Sequence, residues 1–179
     1  MKIKLTYFFL LSFVISCSKD INEADLKIKK GIWINNGEPF SGNVYRIIKK
    51  QKISLGLIKE GKKIGEWIEF GNIIFRTGEY IKGDREGKWE GWYSDSTKAY
   101  SGHYEQGVKI GLWRGWNKNG DLSYSGNFKK GKKDSIWTYW YENGKISDSG
   151  SYKDDRMIGI WKYYSADGIL KEEKYFESD

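Results

Sequence analysis

Five copies of one short pattern, set at near-constant spacing, constrain this chain more than anything else in it. They run from Gly56 to Trp67, Gly78 to Trp89, Gly102 to Trp113, Gly126 to Trp137 and Gly150 to Trp161, with leading glycines 22, 24, 24 and 24 residues apart. A period of about two dozen residues marks a linear array of supersecondary units, each burying its apolar face only against its neighbours. An array of this kind builds surfaces, and a surface by itself leaves the ligand open.

The units are β. The chain holds 22 glycines, spaced every few residues through the body, and glycine costs about 1 kcal/mol relative to alanine inside a helix. Each copy reads Gly, any, aromatic, any, any, Gly, three residues, Gly, any, Trp, as in Gly102 to Trp113. Folded about its central glycine, the copy gives a hairpin with a loop of about four residues. In that register Tyr104 faces Gly111 and Gly102 faces Trp113, each ring over a glycine. A second hairpin follows, with Asn119-Gly120, Asn143-Gly144 and Asp167-Gly168 placed between aromatic strands as type I′ turns. Valine is too scarce to line a barrel or sandwich, at Val14, Val44 and Val108 only. The expected fold is therefore all-β: an elongated, single-layer antiparallel meander of hairpins over residues 31–179. Gly31-Ile32-Trp33 and Ser41 to Tyr45 form a degenerate first unit, and Lys171 to Phe176 ends the series without its glycine.

Residues 1–16 read as a secretory signal: Lys2 and Lys4, then an apolar run through Ile15 that is too short to span a bilayer. Val14-Ile15-Ser16-Cys17 resembles the lipobox of bacterial lipoproteins, which are cleaved before the cysteine and acylated on its sulfur. Cys17 is the single cysteine, so no disulfide partner exists and lipidation accounts for it best. Residues 17–30 are expected as a flexible tether. Ser18-Lys19-Asp20 resembles tethers sent to the outer membrane or cell surface.

Removing Lys2 and Lys4 leaves a modest positive charge. That is far from the basic stripe of a nucleic-acid binder, and one histidine with one cysteine offers no metal cluster. No cofactor is expected, and no serine-histidine-acid set or phosphate loop stands out. His103 occupies a place filled by Leu57, Glu79, Asn127 and Ser151 in the other copies, so it reads as an ordinary strand side chain.

The pattern resembles the MORN repeat, in particular its bacterial variant. The resemblance rests on Gly78, Tyr80, Gly87 and Trp89, on Gly102, Tyr104, Gly111 and Trp113, and on Gly126, Phe128, Trp137, Gly150, Tyr152 and Trp161. Ser135, Asp155 and Ile58 depart from it, standing for Gly, Gly and an aromatic, and local bends or bulges are expected there. The resemblance implies a binding scaffold for a protein partner. Acidic phospholipids are a lesser implication, and the antitoxin label common among bacterial members is taken as a name only. Lysines at the turns, such as Lys59, Lys62, Lys63, Lys129, Lys130, Lys132 and Lys133, read as solubilising charges that block edge pairing. Trp92, Trp116, Trp140 and Tyr164 recur on what alternation makes the other face, and they are the candidate surface for a protein or, alternatively, an envelope glycan.

Overall fold

The computed structural model describes residues 19–71 and 74–177. Twelve strands run as a meander: β5 (Gly42–Ile48), β6 (Gln51–Lys59), β7 (Lys62–Phe70), β8 (Ile74–Ile81), β9 (Asp84–Tyr93), β10 (Lys98–Glu105), β11 (Val108–Trp116), β12 (Leu122–Lys129), β13 (Lys132–Trp140), β14 (Ile146–Lys153), β15 (Arg156–Tyr164) and β16 (Leu170–Phe176). Each pairs antiparallel with the next, in one open sheet. The all-β meander is what the repeat predicts.

The N-terminal end differs from expectation. β1 (Asp20–Asn22) adds parallel to β5, and β2 (Lys27–Lys29), β3 (Ile32–Asn35) and β4 (Glu38–Pro39) form a separate small sheet. Part of the segment expected as a tether is thus built into the fold. Ile21 and Leu26 are buried in the same cluster as Phe40 and Val44, while Glu23 pairs with Arg46 and Asp20 with Lys52. Charge density concealed two apolar anchors, because the residues between them are polar.

Both turn assignments are exchanged. The short loops are two residues long, as at Gln106-Gly107 with φ of 49° and 78°, and Lys130-Gly131 with 51° and 81°. These positive φ pairs are the type I′ signature. The Asn-Gly sites are three-residue loops instead: Gly120 N–H donates to the Asn117 carbonyl at 3.1 Å, Asn117 N–H donates to the Asp121 carbonyl at 2.9 Å, and Gly120 has a φ of 90°. That is a type I turn closed by a left-handed residue. Asn117 Oδ1 accepts from the Asn119 and Asp121 amides and so fixes the turn locally.

The register within each hairpin also departs from the checkerboard. Tyr104 pairs with Lys109, not Gly111, and Gly111 pairs with Phe128 of the following unit. Three residues of β11, Gly111 to Trp113, stand opposite the one residue Gly102, because the register shifts between Ser101 and His103. Gly111 is needed for its backbone, with a φ of 61° and open space where a Cβ would lie. Ser135 holds the same geometry with a φ of 63°, and Asp155 holds that of the turn glycines Gly107 and Gly131 with a φ of 70°. Their copies are therefore no more bent than the rest, and Ile58 is buried in the place of an aromatic. Gly111→Ala should cost about 1 kcal/mol, since only the left-handed backbone is at stake, and Ser135→Gly should gain somewhat less than that, because it also gives up the Ser135 Oγ–Asp134 hydrogen bond at 3.1 Å. Denaturant melts of the two variants check this.

Candidate functional site

The bulge determines what each face of the sheet carries. On one face, the tryptophan of every hairpin lies flat on that hairpin's own leading glycine: Trp67 on Gly56, Trp89 on Gly78, Trp113 on Gly102, Trp137 on Gly126 and Trp161 on Gly150. The irregular register leaves a carbonyl in the opposite strand unpaired, and the indole N–H takes it. Trp89 Nε1 donates to the Glu79 carbonyl at 3.1 Å, Trp137 to Asn127 at 3.1 Å and Trp161 to Ser151 at 3.0 Å. The buried indole N–H of Trp113 has no such partner among the described residues.

Aromatic rings of the intervening strands stand edge-on between these indoles. Tyr104 lies between Trp89 and Trp113 with centroids at 6.0 and 5.2 Å, and Phe128 lies between Trp113 and Trp137 at 5.7 and 5.1 Å. Edge-to-face pairs of this kind contribute about 0.5–1.5 kcal/mol each beyond burial.

A row of cations covers the tryptophans. Lys63 lies 4.3 Å from the Trp67 ring, Arg85 4.5 Å from Trp89, Lys109 4.3 Å from Trp113 and Lys133 4.5 Å from Trp137. Met157 holds the next place and packs on the last cluster. Each cation's strand also anchors the next hairpin: Gly107 N–H donates to the Arg85 carbonyl and Gly131 N–H to the Lys109 carbonyl, both at 2.9 Å. From the sequence, Lys63 and Lys133 read as turn charges. The signal that separates them is their fixed place two residues after the turn position, on strands whose alternate side chains face inward.

One carboxylate serves the first two cations. Glu69 accepts from Lys63 at 2.7 Å, from Arg85 at 2.6 Å and from the Tyr80 hydroxyl at 2.6 Å. Burial pushes its pKa up, but the Lys63 and Tyr80 hydrogen bonds and the two positive charges outweigh that and hold it at about 2. Burial and the Glu69 charge push the Tyr80 phenol up to about 12.

The opposite face is open. Its central row pairs Ser101 with Arg114, Arg114 with Ser125, Ser125 with Thr138, Thr138 with Ser149 and Ser149 with Lys162. To one side stand Leu112, Ile136, Ile160 and Tyr175, which are 40, 66, 55 and 68% exposed. To the other stand the half-buried Trp116, Trp140 and Tyr164, paired with Leu122, Ile146 and Leu170. Trp92 lies in the same row but stacks on Phe75 at 6.3 Å and 15°, with Lys98 on its ring and Thr77 accepting its indole N–H. The leucine and isoleucine row was not singled out in sequence, although it is the residue before the pattern's tryptophan in three successive copies. Cys17 lies outside the described residues.

Among the described residues no group of three or more His, Cys, Asp or Glu side chains could hold a metal ion. A search of curated proteins finds no match. The family model described as MORN repeat variant matches the chain twice, over residues 133–154 and 157–178. Each match takes the second strand of one hairpin and the first of the next, β13–β14 and β15–β16, and the same glycine, bulge and tryptophan geometry recurs in β7–β12. Residues 133–154 and 157–178 therefore carry the MORN repeat variant.

Proposed function

We propose that this chain is a protein-interaction scaffold, exported and held at a membrane surface by acylation of Cys17, and that it docks its partner on the open face of β11–β16. The observation that carries the reading is the row Leu112, Ile136, Ile160 and Tyr175, exposed on β11, β13, β15 and β16 with Asn127 and Ser151 between the first three, and faced across the polar central row by Trp116, Trp140 and Tyr164. Large apolar side chains gathered on one face and rimmed by polar ones mark interaction surfaces. The strip repeats at the spacing of alternate strands, about 9.5 Å, so a partner engages several hairpins at once. A glycan would require open ring faces, and Trp92 has one face closed by Phe75. The scaffold role involves no catalytic step.

No helix among the described residues is long and apolar enough to cross a membrane, which leaves the acyl group as the proposed anchor. Cys17→Ala should move the protein from the membrane pellet to the soluble fraction, because diacylation holds stably where one chain binds reversibly. A photo-crosslinking residue at Ile136 in the acylated protein, in its own envelope, should give a defined protein adduct that the same probe at Glu172, exposed on the opposite face beside Tyr163, does not. Adducts to wall fragments, or none from Ile136, would refute the docking assignment.

A further inference from the structure

The aromatic face contains its own example of anion binding. Between Lys63 and Arg85 sits the Glu69 carboxylate, which stands six residues after Lys63 on the same strand and receives the Tyr80 hydroxyl as well. One unit later the residue six after Arg85 is Gly91, and the residue six after Lys109 is Gly115. Both glycines are overlain by tyrosine rings, Tyr100 and Tyr124, so no side chain can be added there. The residue six after Lys133 is Tyr139, whose hydroxyl takes the Lys133 ammonium at 2.7 Å where Glu69 takes Lys63.

The cation row thus continues with no carboxylate ion-paired to Lys109 or Lys133 among the described residues; Asp148 stands on this face opposite Tyr139 but pairs with neither lysine. Lys109 is half-buried, lies against Trp113 and Phe128, and has no carboxylate within ion-pair reach among the described residues. Burial, together with the Arg85 and Lys133 charges, pushes the pKa of its ammonium down, as expected of a cation whose neighbours are cations. Lys133 is held by rings and a neutral hydroxyl. The Tyr104 hydroxyl accepts from Arg85 at 3.1 Å. In the preceding unit the matching Tyr80 hydroxyl donates to the Glu69 carboxylate.

We infer that Lys109 and Lys133, on either side of Phe128, form a binding site for the carboxylate of an acidic peptide segment, supplied in trans where Glu69 supplies it in cis. The site lies on the face opposite the apolar strip and goes beyond the docking reading. A glutamate side chain suits it because the internal precedent is a glutamate. A desolvated, ring-lined pair of ammonium groups favours a compact anion over a hydrated one.

The test is fluorescence anisotropy of a labelled glutamate-rich dodecapeptide against the mature protein at low salt. Lys109→Gln/Lys133→Gln should weaken binding by roughly tenfold or more, whereas Lys130→Gln/Lys132→Gln, with the same loss of charge at an exposed turn, should weaken it by less than about threefold. Tyr139→Glu, which gives Lys133 its own carboxylate as Glu69 does for Lys63, should also displace the peptide while circular dichroism stays native. Equal losses in the two lysine pairs, or no binding by the wild type, overturns the site. Loss of phosphatidylglycerol-vesicle binding in the same variants, with the peptide never binding, reassigns the face to a lipid headgroup and likewise overturns the proposal.

Discussion

Replacing Trp89 with alanine is expected to lower stability by about 3–5 kcal/mol, the scale of a large buried ring lost from a packed site. Trp89 is fully buried. Its cover is local: Gly78 beneath, Tyr80 and Tyr104 edge-on at 5.2 and 6.0 Å, and Arg85 above at 4.5 Å. Removing the indole uncovers all of these and frees the Glu79 carbonyl. Trp113→Ala should cost about 1 kcal/mol less, because its N–H satisfies no acceptor. Urea melts of both variants check the order, and a larger loss at Trp113 would contradict the role given to the indole hydrogen bond.

Gly102→Ala is the second large effect. The backbone there is compatible with alanine, so conformational strain is absent, but the added methyl would fall within the Trp113 ring atoms. Either the indole lifts off the sheet or the strands part, and the expected cost is about 3 kcal/mol or more. The contrast with Gly111→Ala is diagnostic, since at Gly111 the space is open and only the φ of 61° resists. Two glycines of one motif thus serve different purposes, and thermal melts of the two alanine variants should separate widely. Equal midpoints would mean that the ring does not rest on Gly102.

Those two glycines also show what the sequence can and cannot reveal. The period, the all-β class and the contact of the Trp113 ring with Gly102 follow from spacing alone, since a Gly-to-Trp interval kept constant in every hairpin sets one large ring against one bare backbone each time. The position of Gly111 does not follow, because counting back from a turn assumes a regular ladder. Here three residues oppose one, and the shift of two residues keeps every side chain on its expected face while breaking the count. The turn exchange has the same origin: Asn-Gly favours a type I′ hairpin in isolation, yet Asn117 captures the Asn119 and Asp121 amides and widens the loop.

The cation row was hidden for a different reason. Lysine is the usual residue of turns and edges, and nothing in composition distinguishes Lys133, over Trp137, from the exposed Lys132 beside it. Strand alternation distinguishes them once the turn is fixed. The N-terminal strands were obscured likewise, since Ile21 and Leu26 stand among charges that pair only when folded, Asp20 with Lys52 and Glu23 with Arg46.

The division of labour between the two faces is the central claim, and one comparison tests it most directly: thermal melts of Trp116→Ala/Trp140→Ala beside Trp113→Ala/Trp137→Ala. The first pair lies half-buried on the open face and the second is buried against glycine on the other. The first double variant should melt within about 5 °C of wild type, whereas the second should lose about 15 °C or more or fail to fold, on the usual scale of 2–4 °C per kcal/mol for a chain of this size. An equal fall in both would show that the two faces are structural alike and leave the sheet no free surface for a partner.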